Sequence, residues 1–296
     1  LLVNHNQGLN VNSLLFSNND RMIEFKIPAL MGILNITEDS FSDGGKFLNL
    51  KDALLQAEKL ISDGADILDI GAESTRPGAE PVPEDIELQR IIPVLTEIRN
   101  RWQDIPISID TRKSKVAEAA IDLGARIIND VSALRFDPEM ADMLSSHPQV
   151  KVILMHMQGE PQNMQNNPHY EDLFGEINAF FKERIAYAEV QGISRDRIYL
   201  DPGIGFGKTA EHNFQLLAHL EEFIIHQLPL VIGVSRKRFI ASLDNSSVEQ
   251  RLGGTLAAGL VAVLKGVEIL RVHNVQAHRQ FFQVLKEINE VSEWTS

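Results

Sequence analysis

Eight short apolar runs, rich in β-branched residues, recur along the chain, and each gives way to polar residues at its end. They are Ala29 to Leu34, Asp66 to Ile70, Ile105 to Ile109, Arg126 to Asn129, Val150 to Met155, Arg197 to Leu200, Leu230 to Val234 and Glu268 to Val272. Amphipathic stretches of helical period lie between them. Asp52–Asp63 carries Ala53, Leu54, Ala57, Leu60 and Ile61 at that spacing, and Ser114–Leu123 and Phe174–Gln191 repeat the texture. Gly64 and Gly124 fall at helix ends, where a left-handed cap favours glycine. Strand–helix alternation calls for parallel strands joined by crossover helices. Eight such units over about 250 residues predict an α/β fold of the (β/α)8 TIM-barrel type. A doubly wound open sheet uses the same alternation but concentrates its ligand chemistry at one or two turns. Here polar residues follow nearly every strand, which favours the closed barrel.

No composition shift or Pro/Ser-rich linker divides the chain, so residues 27–296 are expected to form one domain after an extension over residues 1–26. Leu1 to Asp20 is Asn-rich and shows no clear period. Cysteine is absent, which excludes a disulfide scaffold, a Cys-ligated metal and a thiol nucleophile. With 28 basic and 41 acidic side chains the formal net charge is −13, a field that argues against nucleic acid as a partner. The longest largely apolar stretch, Leu252 to Leu264, falls short of the roughly 20 residues that cross a bilayer. No basic leader with an apolar core opens the sequence. A cytoplasmic enzyme without membrane partners is the expected class.

In a barrel of this kind the C-terminal strand ends share one pocket. In order they supply Asn35, the Glu73-Ser74-Thr75-Arg76 turn, Asp110, Asn129, His156, Asp201, the Ser235-Arg236-Lys237 turn, and Arg271 with His273. A single strand-end Asp is more often a helix cap than a site residue. Polar groups at all eight ends exceed what capping explains. The Gly32–Gly45 segment places Asn35 before a long polar loop with Asp39, Phe41 and Asp43. An amide there can ligate Mg2+ or meet a phosphate, and a plain surface loop of turn formers is the alternative. Arg271 and His273, two apart on a strand, point to one side and suit a phosphate or pyrophosphate. Asp201 precedes a glycine-rich turn that runs through Phe206 to Lys208. It does not fit the Walker spacing, but its carboxylate can accept two parallel N–H bonds from an amidine-like edge. Phe206 offers a flat apolar wall. Gly233 to Arg238 sets three cations after the seventh strand. His147, His156, His169 and His212 lack ligand spacing and are expected to be structural.

Taken in order, these segments resemble the dihydropteroate synthase family. Gly32–Gly45, Gly71–Pro77, Ile109–Arg112, Asn129–Ser132, Met155–Gly159, Asp201–Lys208, Ser235–Lys237 and Arg271–His273 all match, over about Leu30 to Asn274. The resemblance implies a homodimeric TIM barrel that condenses 6-hydroxymethyl-7,8-dihydropterin pyrophosphate with p-aminobenzoate and releases pyrophosphate. It implies that Asn35 binds a Mg2+ cofactor accompanying the pyrophosphate, and that Asp110, Asn129, Asp201 and Lys237 hold the pterin. Arg271 and His273 would take the pyrophosphate beside Thr75. Arg76, Pro77, Phe206 and Ser235 would shape the p-aminobenzoate pocket, where sulfonamides compete. Asp43 and Phe41 would close over the pterin, and Asn35, Asp43, Lys237, Arg271 and His273 would carry the catalysis. Two positions depart from the family pattern: Glu38 stands where a proline is usual, and Arg238 where some members have a serine for the p-aminobenzoate carboxylate. The nearest alternatives are a pterin-binding methyltransferase acting on methyltetrahydrofolate and a corrinoid protein, and a non-catalytic pterin-binding module. Ser235-Arg236-Lys237 and the complete first loop favour the synthase. The helix Thr255 to Leu264 is the expected buried or dimer-facing surface.

Overall fold

The structure, a computed structural model, describes residues 13–18, 21–36, 46–74 and 78–293. Its first elements are β1 (Ser13–Asn18) and β2 (Arg21–Lys26), an antiparallel pair with Ser13 opposite Lys26. Part of the segment expected to lack regular structure is therefore a β-hairpin. The signal lay in the two short runs of β-formers on either side of Asn18-Asn19-Asp20, a turn-forming cluster. β1 lies beside the last helix of the chain and β2 beside the helix before it.

The barrel then runs β3 (Ala29–Asn35), α1 (Lys46–Ser62), β4 (Ile67–Gly71), α2 (Glu84–Arg101), β5 (Ile107–Asp110), α3 (Ser114–Asp122), β6 (Ile127–Asp130), α4 (Met140–Ser145) and β7 (Lys151–Met155). It continues through α5 (Leu173–Val190), β8 (Ile198–Asp201), α6 (Ala210–Ala218), β9 (Val231–Ile232), α7 (Arg238–Asp244), α8 (Leu252–Leu264), β10 (Ile269–Val272) and α9 (Val275–Glu293). All eight apolar runs contribute strands, every neighbouring pair is parallel, and the hydrogen-bonded order is β8-β7-β6-β5-β4-β3-β10-β9. A bridge between Leu200 and Leu230, with Leu200 N donating to Pro229 O at 3.0 Å, closes the ring. The run Leu230 to Val234 yields only a two-residue strand. Pro229 has no N–H, and the Leu230 N–H goes to the Glu268 carboxylate instead.

Helix boundaries follow the hydrophobic period. Ala53, Leu54, Ala57 and Leu60 of α1 are buried. Gly64 and Gly124 adopt φ of +94° and +96°, the conformation their positions required. The core has two parts. Outward-facing strand residues such as Leu30, Leu68 and Ile109 pack on the helices, while Met31, Ile67, Ile127, Ile153, Val231 and Ile269 form a separate apolar floor inside the barrel. Strand period 2 then sets what stands above that floor. Two residues on from Ile67, Ile127 and Ile269 come Asp69, Asn129 and Arg271, and two on from Tyr199, which packs on the floor, comes Asp201. No helix among the described residues is long and apolar enough to cross a membrane.

On the outer layer, Phe181 of α5 is fully buried with its ring edge-on to Phe223 at 5.8 Å. Phe181→Ala is expected to cost about 3–5 kcal/mol. Urea unfolding would show this as a lower midpoint at unchanged slope, and a loss below about 1 kcal/mol would contradict the packing described.

Candidate active site

The layer above the apolar floor is polar and internally paired. Arg271 donates through Nε to Asp69 Oδ2 at 2.5 Å and through Nη2 to Asp110 Oδ2 at 2.7 Å. Asn129 Nδ2 lies 3.3 Å from Asp69 Oδ2. Asp69 is fully buried, and its Oδ1 has no hydrogen-bond partner among the described residues. One guanidinium thus serves two carboxylates and cannot neutralise both. Burial pushes Asp110 up to about 7 against the pull of Arg271, with Asp69 adding repulsion. Burial also works against the charge of Arg271, but the two carboxylates outweigh it and hold the guanidinium firmly protonated.

Asp201 closes β8 and is buried, its Oδ1 accepting from Gly203 N at 2.7 Å. Burial raises its pKa, opposed by that hydrogen bond and by Lys237 and Lys208. Gly203 has φ of +71°, and a Cβ there would sit 1.9 Å from the His156 carbonyl oxygen, so only glycine lets the turn approach β7 so closely. Lys237 Nζ lies 4.1 Å from the centroid of the Phe206 ring, a cation–π contact. Burial lowers the Lys237 amine to about 8, against the attraction of Asp201. The other two cations of that turn, Arg236 and Arg238, are exposed, while Lys237 is half-buried.

Ser235 Oγ accepts from His273 N at 3.2 Å and lies 3.0 Å from its Nδ1. Arg271 is therefore anchored inside the barrel and His273 at the end of β9, and their convergence on one anion is not visible in these contacts. Asn35 ends β3, half-buried and opposite Gly71 of β4. Asp43, Thr75 and Arg76, with Phe41 and Pro77, lie outside the described residues. Their neighbour Glu73 is held by Arg112 at 2.8 Å and by Lys113, which also bonds the fully buried Glu87. His212 closes a capping box on α6 and His147 bonds Met143 O, both structural roles.

Sequence reasoning missed Asp69, because it lies inside the apolar run Asp66 to Ile70 and not at the end where that strand meets its polar turn. The period would have found it, since it shares the parity of Ile67. Lys113 and Glu87 were missed for a different reason: their pairing joins elements 26 residues apart with no periodic signature.

A layer of carboxylates and an amide suits a heterocycle with a row of N–H donors. A neighbouring aromatic wall and an ammonium suit a second, flat ligand. The pterin binding enzyme family model matches residues 31–273, which span the barrel from β3 to the end of β10. The chain is 44% identical over 264 residues to the dihydropteroate synthase of Escherichia coli K12, covering 89% of this chain and 93% of that protein. Among solved structures, the dihydropteroate synthase of Yersinia pestis in a sulfonamide drug complex superposes with a TM-score of 0.83 at 40% identity, covering 94% of this chain and all of that one. The Xanthomonas albilineans dihydropteroate synthase in complex with 7,8-dihydropteroate gives 0.79 at 40% identity, with 94% and 98% covered. This chain belongs to the pterin-binding enzymes and, among them, to the dihydropteroate synthase family.

Proposed function

We infer that this chain condenses 6-hydroxymethyl-7,8-dihydropterin pyrophosphate with p-aminobenzoate to give 7,8-dihydropteroate and pyrophosphate, in folate biosynthesis. The observation that carries this is the buried polar layer of Asp69, Asp110, Asn129, Asp201 and Arg271 above the apolar floor, in a chain whose relatives are synthases of this reaction. Asp201, Asp110 and Asn129 take the donor edge of the pterin ring, and Lys237 meets its carbonyl side. Phe206 and Ser235 border the p-aminobenzoate. Arg271 and His273, with Thr75 from the second loop, serve the pyrophosphate, while Arg76 of that loop joins the p-aminobenzoate pocket and Asp43 of the first loop closes over the pterin.

The chemistry needs no protein nucleophile, consistent with a chain that has no cysteine. The C–O bond to pyrophosphate breaks with its electron pair leaving on the phosphate. The amine of p-aminobenzoate then forms the C–N bond, and the proton it loses is accounted for on the released pyrophosphate. Asp69 and Asp110 lie where a positive charge on the pterin methylene is favoured, and cations beyond the strand ends favour the departing anion. Mg2+ fits the donor set: Asn35 offers one half-buried oxygen at a strand end, and Mg2+ is commonly held by few protein oxygens plus phosphates and water. When bound, the ion would neutralise charge on the leaving pyrophosphate. The protein acts in the cytoplasm as a homodimer, with α8 as the contact face. Val261 and Leu264 of that helix are each 39% exposed while Ala258, Ala262 and Val263 are buried.

Pyrophosphate release is expected only when both substrates and Mg2+ are present, and to stop on adding EDTA. Release without p-aminobenzoate, or none with all three, would refute the assignment. Asp201→Asn replaces two acceptor oxygens that share one negative charge with one acceptor and one donor, so pterin affinity should fall by about 1–3 kcal/mol, measured by calorimetry. Unchanged affinity would remove Asp201 from the pterin edge.

Asp110 supplies a pH test. Its pKa is raised from 3.8 to about 7 by burial, so the folded state binds the proton more tightly than the unfolded chain. Stability from this group is therefore full below about pH 4 and declines as pH rises toward 7. Comparing urea unfolding of the wild type and Asp110→Asn between pH 4 and 8, the wild type should lose stability relative to the variant through that window and level off above it. A difference that is flat or rises with pH would show that Arg271 keeps Asp110 ionised throughout.

A further inference from the structure

The glycine-rich turn after β8 ends on a lysine that the recognition chemistry above leaves unused. Lys208 is only 3% exposed, and its Nζ sits between two acceptors. It lies 3.0 Å from His156 Nδ1 and donates to the Phe206 carbonyl at 3.0 Å. His156 can accept because burial, with Lys208 and Arg135 nearby, lowers its pKa to about 2 and leaves the ring neutral. That ring is itself fixed, edge-on to Phe180 with centroids 4.9 Å apart.

The surrounding turn is tightly placed. A Cβ at Gly207 would come 2.4 Å from the Gln158 carbonyl oxygen, and Tyr170 Oη donates to the Gly207 carbonyl at 2.9 Å. Gly205 and Gly207 flank Phe206, so neither chain neighbour offers it a β-carbon, and the ring packs beside the buried cluster of Val131, Met155, Met157 and Met164. The Phe206 main chain is held on both sides: its N–H donates to Gly203 O at 3.0 Å, and Lys208 is the side chain that grips its carbonyl. Burial lowers the Lys208 amine to about 7, with Asp201 opposing the shift. Both donations need only two N–H bonds, which the neutral amine also has, so the grip does not depend on the charge state.

We propose that Lys208 is a positioning residue for the second substrate: held by His156, it fixes the Phe206 carbonyl and thereby aims the Phe206 ring at p-aminobenzoate. It touches neither substrate and acts through Phe206. The proposal rests on Phe206 being the apolar wall of the p-aminobenzoate subsite.

The test is a double-mutant cycle on steady-state kinetics. Lys208→Met keeps the length and apolar volume of the side chain but removes both donations. The KM for p-aminobenzoate should rise about tenfold, the scale of one lost buried hydrogen bond, while that for the pterin pyrophosphate changes by less than about twofold. Phe206→Leu alone should raise the p-aminobenzoate KM as well, and adding Lys208→Met to it should raise it by less than about twofold more. Equal losses for both substrates, no change for Lys208→Met, or a full additional tenfold rise in the double variant would each overturn the proposal. An unchanged KM for Phe206→Leu, with Lys208 intact, would instead remove the wall on which the proposal rests and overturn it at that step. Should Lys208→Met fail to fold, His156→Phe keeps the ring against Phe180 and deletes the acceptor. The same split between the two KM values is then expected, and its absence would be equally decisive.

Discussion

The site hangs on one guanidinium placed inside a closed barrel. Arg271 reaches from β10 across β3 to Asp69 on β4 and Asp110 on β5, consecutive strands whose inward faces line one lumen. An isolated pair of buried carboxylates would repel and take up protons. With Arg271 between them, the layer can stay partly ionised beneath the ligand. The pairing is costly, because buried ions lose their hydration and good geometry only partly offsets that loss. It sits directly on six buried apolar side chains that pack with one another inside the barrel. The division into an apolar floor and a charged layer above it separates folding from chemistry along a single axis.

The eight strands and their parallel order were legible because each rests on a local signal, an apolar run followed by a helical period. The strand-end residues Asp110, Asn129, Asp201 and Arg271 were legible for the same reason. What escaped has three physical sources. Asp69 is hidden by parity: within a strand, the inward face carries information only once the floor residues are known. The hairpin over residues 13–26 escaped because short antiparallel pairs carry a weak period, and its turn-forming residues alone did not declare it. Lys113, Glu87 and the His156–Lys208 contact escaped because side-chain pairs between distant elements have no sequence period at all. Arg236, Lys237 and Arg238 differ in burial in a way their sequence does not show. A run of cations after a strand says nothing about which one faces inward, and the helix that begins at Arg238 leaves Lys237 half-buried while its neighbours remain in solvent.

The net charge of −13 argues against nucleic acid, yet for a small anion the distribution matters more than the sum. Asp69, Asp110 and Asp201 are carried within the strands, while Lys237 and His273 come after the ends of β9 and β10. Apart from Arg271, which is paired within the acid layer, acid therefore lies deeper in the barrel and base nearer its mouth. The proposed reaction separates charge in the same sense, leaving a cation on the pterin and an anion on the departing pyrophosphate. A field already arranged along that direction needs no reorganisation as the bond breaks, which is the condition under which fixed protein charges lower a barrier most. The acidic balance of the chain is in this respect an asset: the carboxylates that make the total negative include those best placed to receive the developing cation.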